Sequence, residues 1–439
     1  MSGLFYEPAP AETGSGRHRA AVPFILVTVF LDMLVMGISA PVMPELVKQF
    51  TGGDVASAAW WVGLSWSGFS LLQFVGAPFL GALSDRFGRR PIILLSVFGL
   101  GVNQLALVFA PSLFWYMAGR FIAGVCAASF ATASAYMADI TPPERRARNF
   151  GLIGAAFGIS FIIGPAIGGP LGDYGLRLPF VVGAVLAGLN LVYGLFVLPE
   201  SLPRAARQPF SWRSCNPLAA LAVLFQRRLT LGLAAGSMLG VFGMGVLQAV
   251  WVLYTGERFG WSATANGLSL AAVGLLVAIA QGVLVAPSVR WLGEGCTVML
   301  GGALTAIAYF GFAFAPESLL FALSLIPFGL GGVAGPTLQS IISRSAAAGQ
   351  QGAIMGALMG LQSLVFAISP FIGSPLFARY TVGAAGSVLA GAPFLFGAIA
   401  TVLSLVLTLA VLRWHGHELA AARSIAADGV EGAVMEAEG

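Results

Sequence analysis

Stretches of about 20 mostly apolar residues, the length an α-helix needs to cross a hydrocarbon layer roughly 30 Å thick, recur along almost the whole chain. Short breaks marked by Arg, Pro and Gly separate them. In lipid every backbone N–H and C=O must be paired within the protein, so segments this long have to be helices and not barrel strands of about 10 alternating residues. With 58% apolar and only 9% charged residues in 439, and a mean hydropathy of +0.88, too little polar surface is left for a soluble domain. The expected fold is therefore all-α and integral to the membrane.

Reading the windows against the breakers predicts spans near 22–44, 58–83, 91–110, 113–138, 149–172 and 178–198, then near 229–254, 264–288, 296–315, 317–343, 351–378 and 390–413. The predicted organisation is a tail over 1–21, a six-helix bundle over 22–198, a polar linker over 199–228, a second bundle over 229–413 and a tail over 414–439. No removable leader is expected, because the residues before the first span are polar and that span is itself long enough to cross. Cys126, Cys215 and Cys296 lie far apart, which predicts neither a disulfide framework nor a zinc site.

The arginines choose a side. Arg86, Arg89 and Arg90 follow the second span, and Arg145, Arg146 and Arg148 the fourth. Arg204, Arg207, Arg213, Arg227 and Arg228 lie in the linker, with Arg290, Arg344 and Arg413 further on, whereas the other side holds only Lys48, Arg177, Arg258 and Arg379. Positive loops resist translocation, so both termini are expected to be cytoplasmic. The net charge of +4 then reports topology, and no nucleic-acid partner is expected.

An internal repeat appears at an offset of 204 to 205 residues. Gly63-Leu64-Ser65 matches Gly267-Leu268-Ser269, Gly151 matches Gly356, Pro165 matches Pro370, and Pro170-Leu171 matches Pro375-Leu376. Two parallel six-helix repeats joined on one side form a plan in which the bundles rock about a central site near the membrane midplane.

Gly81-Ala82-Leu83-Ser84-Asp85-Arg86-Phe87-Gly88-Arg89-Arg90-Pro91 resembles the loop between helices 2 and 3 of the major facilitator superfamily. Its glycines permit close helix ends, and Asp85 can accept hydrogen bonds from arginines, which makes Gly81, Asp85, Arg86, Gly88, Arg89, Arg90 and Asp139 a predicted cytoplasmic gate. Gly164-Pro165-Ala166-Ile167-Gly168-Gly169-Pro170 resembles the antiporter motif of helix 5, with Gly164, Pro165, Gly168 and Gly169 at its centre. Charges deep in a membrane are costly and are functional candidates by default. Asp32 stands about 15 Å into the first span, and Arg120, in Gly119-Arg120-Phe121-Ile122-Ala123-Gly124, resembles the helix 4 motif of drug and proton antiporters. The two could form a proton switch or a static ion pair. Gln73, Asn103, Gln248, Trp251, Gln281, Tyr309, Gln339 and Gln362 are polar or aromatic groups within spans and are the substrate-cavity candidates, with interhelical hydrogen bonding the competing role for each.

Taken together the chain resembles the tetracycline-resistance branch of the drug and proton antiporters. The resemblance implies twelve transmembrane helices in two pseudo-symmetric bundles and a monomer in a bacterial inner membrane. It also implies efflux of a small amphipathic molecule driven by the proton gradient, without a cofactor. Three charged positions of that branch fall here on Asn103, Val277 and Thr305, which favours a substrate other than tetracycline. An importer or facilitator of a specific metabolite is the alternative. No nucleophile with a base partner, metal-ligand cluster or phosphate loop suggests an enzyme.

Overall fold

The computed structural model describes residues 15–415 except 128, 143–144, 213–214, 346–349 and 383–387, with side chains described from residue 22 except those of 129, 130, 147, 219, 220 and 388. Of the predicted tails, residues 1–14 and 416–439 lie outside the described residues, and residues 15–21 are not tail but helix continuous with the first span, Ser15–Ser39. Eleven helical segments are long and apolar enough to cross a membrane. They are α1 (Val22–Ser39), α2 (Val55–Phe87), α3 (Arg89–Phe109), α4 (Leu113–Ile140), α5 (Arg148–Tyr174), α6 (Leu178–Val197) and α7 (Arg228–Phe259). A segment over Ala263–Phe314 follows, and the series ends with α10 (Ser318–Ser345), α11 (Gln351–Val382) and α12 (Leu389–Trp414).

The segment Ala263–Phe314 has 52 residues, about 78 Å at 1.5 Å per residue, more than twice the hydrocarbon thickness. It breaks at Gly293, whose φ of 79° and ψ of 163° are not helical. The break gives α8 (263–292) and α9 (294–314), and twelve spans in all. Gly88, between α2 and α3, has φ 110° and ψ 160°. Gly88 and Gly293 stand 205 residues apart, so the internal repeat extends to the backbone of this corner.

The spans start where expected to within a turn, but several are longer than the apolar windows, because they continue through polar residues beyond the hydrocarbon. The first window is divided: α1 stops at Ser39, and Met43–Phe50 is a separate short helix that buries Met43, Leu46 and Val47. Asp54 accepts from the Ala56 N–H at the start of α2, and hydrogen bonds from the Ser57 side chain and backbone, with that of Ala56, hold its carboxyl below the usual range. Ser262 accepts from Ala265 N–H at the start of α8.

The cores show how the bundles meet. Toward the face opposite the arginines, one continuous cluster runs from Val42, Val62, Tyr116 and Phe180 in the first half to Val250, Trp251, Phe312 and Phe394 in the second. Toward the basic face the core divides. Ile25, Val97, Tyr136 and Leu198 belong to the first half alone, and Leu233, Ile342, Ala357 and Val411 to the second. The molecule is closed on the outer face and open toward the basic one.

Candidate transport site

The outer closure is built from small residues. A Cβ at Gly267 of α8 would stand 2.3 Å from the Pro165 carbonyl and 2.9 Å from Gly169 Cα, and one at Gly169 would stand 2.5 Å from the Ala263 carbonyl. Only glycine admits this backbone approach. Gly164 and Gly168 face the other way: a Cβ at Gly168 would stand 2.0 Å from the Ile38 carbonyl, and one at Gly164 2.7 Å from Gly37 Cα. The antiporter motif thus divides its contacts, two glycines against α1, which carries Asp32, and Gly169 with Pro165 against α8. Asp173, one turn beyond it, accepts from the N–H groups of Ala263 and Thr264 at 3.0 and 3.1 Å, capping α8 across the two halves. On the α2–α11 side, Gly63 packs on Ser374 and Trp60 meets Phe371 edge to face at 5.9 Å.

Asp32 and Arg120 are both buried. Arg120 donates from Nε to Ser65 Oγ at 3.2 Å, Ser65 shares a hydrogen bond with the Tyr116 hydroxyl at 3.3 Å, and the guanidinium lies 4.5 and 5.1 Å from the ring centroids of Phe69 and Trp66. The ion pairs Lys48–Glu45, Arg89–Asp85, Arg89–Asp139, Arg207–Glu200 and Arg344–Glu294 lie toward the two faces. The α1 helix is otherwise tied to its bundle by neutral groups. Gln104 donates to Ser39 Oγ and the Val35 carbonyl, Ser160 to the Phe30 carbonyl, and Asn190 to the Thr28 carbonyl.

The cavity candidates separate. Asn103 is buried beside Gly119, next to Arg120, and Gln73 donates to the Ala127 carbonyl at 3.4 Å, so both belong to the first-half interior. Gln248, Gln281 and Gln339 are exposed and Gln362 is half-buried. Gln281 lies in a π-helical turn, Ala280–Leu284, where α8 is locally widened. Trp251 and Tyr309 are instead packing residues. Trp251 lies among Phe312, Phe321 and Phe394 and donates to Ser269, and Tyr309 packs on Phe312, Phe328 and Gly397.

At the basic face several of the residues predicted for a gate lie together. Arg89 pairs with Asp85 at 2.5 Å and with Asp139 at 3.1 Å, and donates to Ser84 Oγ at 2.6 Å. Arg90 donates to the Leu195 carbonyl, whereas Arg86 lies over the Phe87 ring and Gly81 has open space beside it. Glu200, from the Leu198-Pro199-Glu200-Ser201 turn after α6, joins this cluster. Its Oε1 accepts from the N–H groups of Arg89, Ser201 and Leu202 at 2.8, 3.0 and 3.1 Å, and Ser201 Oγ donates to Asp139 at 3.1 Å. A Cβ on Gly88 would stand 2.2 Å from Glu200 Oε2, so Gly88 is required by space as well as by its positive φ. Glu200 and Asp173 were not among the predicted gate residues. Each acts on a helix N-terminus distant in sequence, and only the acidic residue type at a span end hinted at that role.

Among the described residues no group of His, Cys, Asp and Glu could hold a metal ion. The sequence profile of the Major Facilitator Superfamily matches residues 25–370. The class C tetracycline resistance protein of Escherichia coli is 38% identical over 364 residues, 82% of this chain and 91% of that one. The class H tetracycline resistance protein of Pasteurella multocida is 31% identical over 359 residues, 81% and 88% of the two chains. The crystal structure of the human organic anion transporter MFSD10 (TETRAN) superposes with a TM-score of 0.67 at 24% identity, over 92% of this chain and all of that one, a likeness of fold. The glycine-lined seams, the Arg89 gate and these matches agree: the chain belongs to the Major Facilitator Superfamily, beside its tetracycline resistance proteins, and is a membrane transporter and not an enzyme.

Proposed function

We propose that this protein is a proton-coupled efflux antiporter for small amphipathic compounds, working by alternating access in a bacterial inner membrane with its basic face in the cytoplasm. The observation that carries the reading is the first-half interior: a buried carboxylate on α1, Asp32, and a buried guanidinium on α4, Arg120, which in this conformation donates to Ser65 and lies over Phe69 and Trp66. Asp32 carries the proton. Rearrangement of α1 against α4 within the first half brings the Arg120 guanidinium to the carboxylate and displaces the proton, which couples the conformational change to proton release. The antiporter motif supports this coupling, because the glycines that touch α1 lie on the same helix as those that touch α8.

The resemblance to tetracycline pumps supports efflux, while Asn103, Val277 and Thr305 leave the second half without the charges of those pumps and support a different substrate. The same absence favours the second reading, a facilitator that moves its substrate down a gradient. A monomer suffices, since one chain supplies both halves. Purified protein titrated with candidate compounds decides between the readings. Release of about one proton per bound ligand, abolished in Asp32→Asn, is expected for the antiporter. Binding without release, or release unchanged in Asp32→Asn, moves the facilitator to first place.

A further inference from the structure

The repeat that aligns Gly88 with Gly293 also aligns the side chains around the two corners, with the charges exchanged. Adding 205 carries Arg89 to Glu294 and Asp139 to Arg344. Arg89 pairs with Asp139 in the first half, and Arg344 donates to Glu294 in the second. The second half therefore holds its own basic-face ion pair, but with the acid on the corner and the cation at the end of α10.

The corner bearing Glu294 lies at the basic end of the α5–α8 seam. At the outer end Asp173 meets Ala263, Gly169 meets Gly267, and Phe161 meets Gly274. Continued one for one down this antiparallel pair, the register sets Gly154 opposite 281–282 and Arg146 opposite Arg290, with Glu294 just beyond. These ends are apart here: a Cβ at Gly151, Gly154 or Gly282 would have no heavy atom within 4 Å. Closing the basic face brings Arg145, Arg146 and Arg148 toward Arg290, a like-charge encounter that a further acid relieves; Glu144, next to Arg145 in sequence, lies outside the described residues. The α5 helix also starts without a side-chain cap, so its first N–H groups have no carboxylate or hydroxyl at the N-cap. At the outer end of the same seam, the start of α8 has both Ser262 and Asp173.

We propose that Glu294 is the basic-face counterpart of Asp173: held by Arg344 while this face is open, it transfers to the start of α5 and its arginines when the face closes. An acid then acts at each end of one seam, capping the helix on the other side in alternate conformations. The inference rests on the alternating-access reading above.

The test uses Gly154→Cys in a chain whose Cys126, Cys215 and Cys296 are serine, with the rate of labelling by a polar maleimide in detergent as the measure of basic-face opening. Arg344→Gln releases Glu294 toward α5, so labelling is expected to slow at least threefold. Adding Glu294→Gln restores the parent rate, whereas adding Glu294→Asp does not. Arg344→Lys, which keeps the charge, labels as the parent does and controls for folding. If Glu294 and Arg344 merely brace the second half, Arg344→Gln speeds labelling or leaves it unchanged, or the slowing persists with Glu294→Gln, and any of these overturns the proposal. Counterflow by the parent in liposomes separates the two claims. A parent without counterflow overturns the transport reading, while an active parent with unaltered labelling overturns the latch alone.

Discussion

Two residues set the geometry of the α2–α3 corner. Gly88 occupies a backbone region that costs other residues of order 1–3 kcal/mol, and the space beside it is filled by the Glu200 carboxylate. Gly88→Ala is therefore expected to lower the thermal midpoint and to abolish counterflow together. Glu200 accepts from three backbone N–H groups, so Glu200→Ala is expected to cost about 1–3 kcal/mol in detergent unfolding. Retention of the midpoint in Glu200→Ala would show that water replaces the carboxylate at no loss. At this scale the sequence was informative about residue types and poor about partners. Asp85, Arg89 and Asp139 were legible because they share one loop motif and one helix end. Glu200 was not, because its target, the N–H of Arg89, lies 111 residues away and a backbone donor has no signature in sequence.

Among the elements, α5 is the one on which the others turn. Its glycines meet α1 on one side and α8 on the other, and its last turn supplies Asp173 to the α8 N-terminus. A charge at a helix N-terminus is worth about 0.3–1 kcal/mol, so Asp173→Asn is expected to shift the outer opening equilibrium two- to fivefold. Spin labels at Tyr174→Cys and Glu257→Cys would read this as a larger share of the long distance. An unchanged distribution would place the outer seal in the glycine packing alone. Two further arginines hold element ends: Arg177 donates to the carbonyls of Val108 and Ala110, and Arg258 to that of Ala315. These carbonyls end α3 and α9, where a cation complements the helix dipole. That explains the arginines on the face that otherwise has few, which the count of charges per side left as exceptions.

At the scale of the whole molecule, the proposed alternating access requires the outer seams to open. Gly63 and Ser374 offer a way to forbid it, since a Cβ on Gly63 would stand 3.3 Å from Ser374 Cβ, close to the separation in a disulfide. Gly63→Cys with Ser374→Cys, in the cysteine-free chain, is expected to bind ligand from the basic face but not to transport when oxidised, and to recover on reduction. Transport by the oxidised protein would exclude alternating access through this seam. The chain alone determined the twelve spans, the basic face and the repeat. Each follows from how a local stretch partitions between water and hydrocarbon, or from like residues at a fixed offset. Only the tertiary structure decided which face is open, that Trp251 and Tyr309 are core and not cavity wall, and that Arg120 stands on Ser65, Phe69 and Trp66. Those outcomes depend on which helix faces meet, and in a bilayer, where apolar surface is equally at ease against lipid or protein, hydropathy carries no record of that choice.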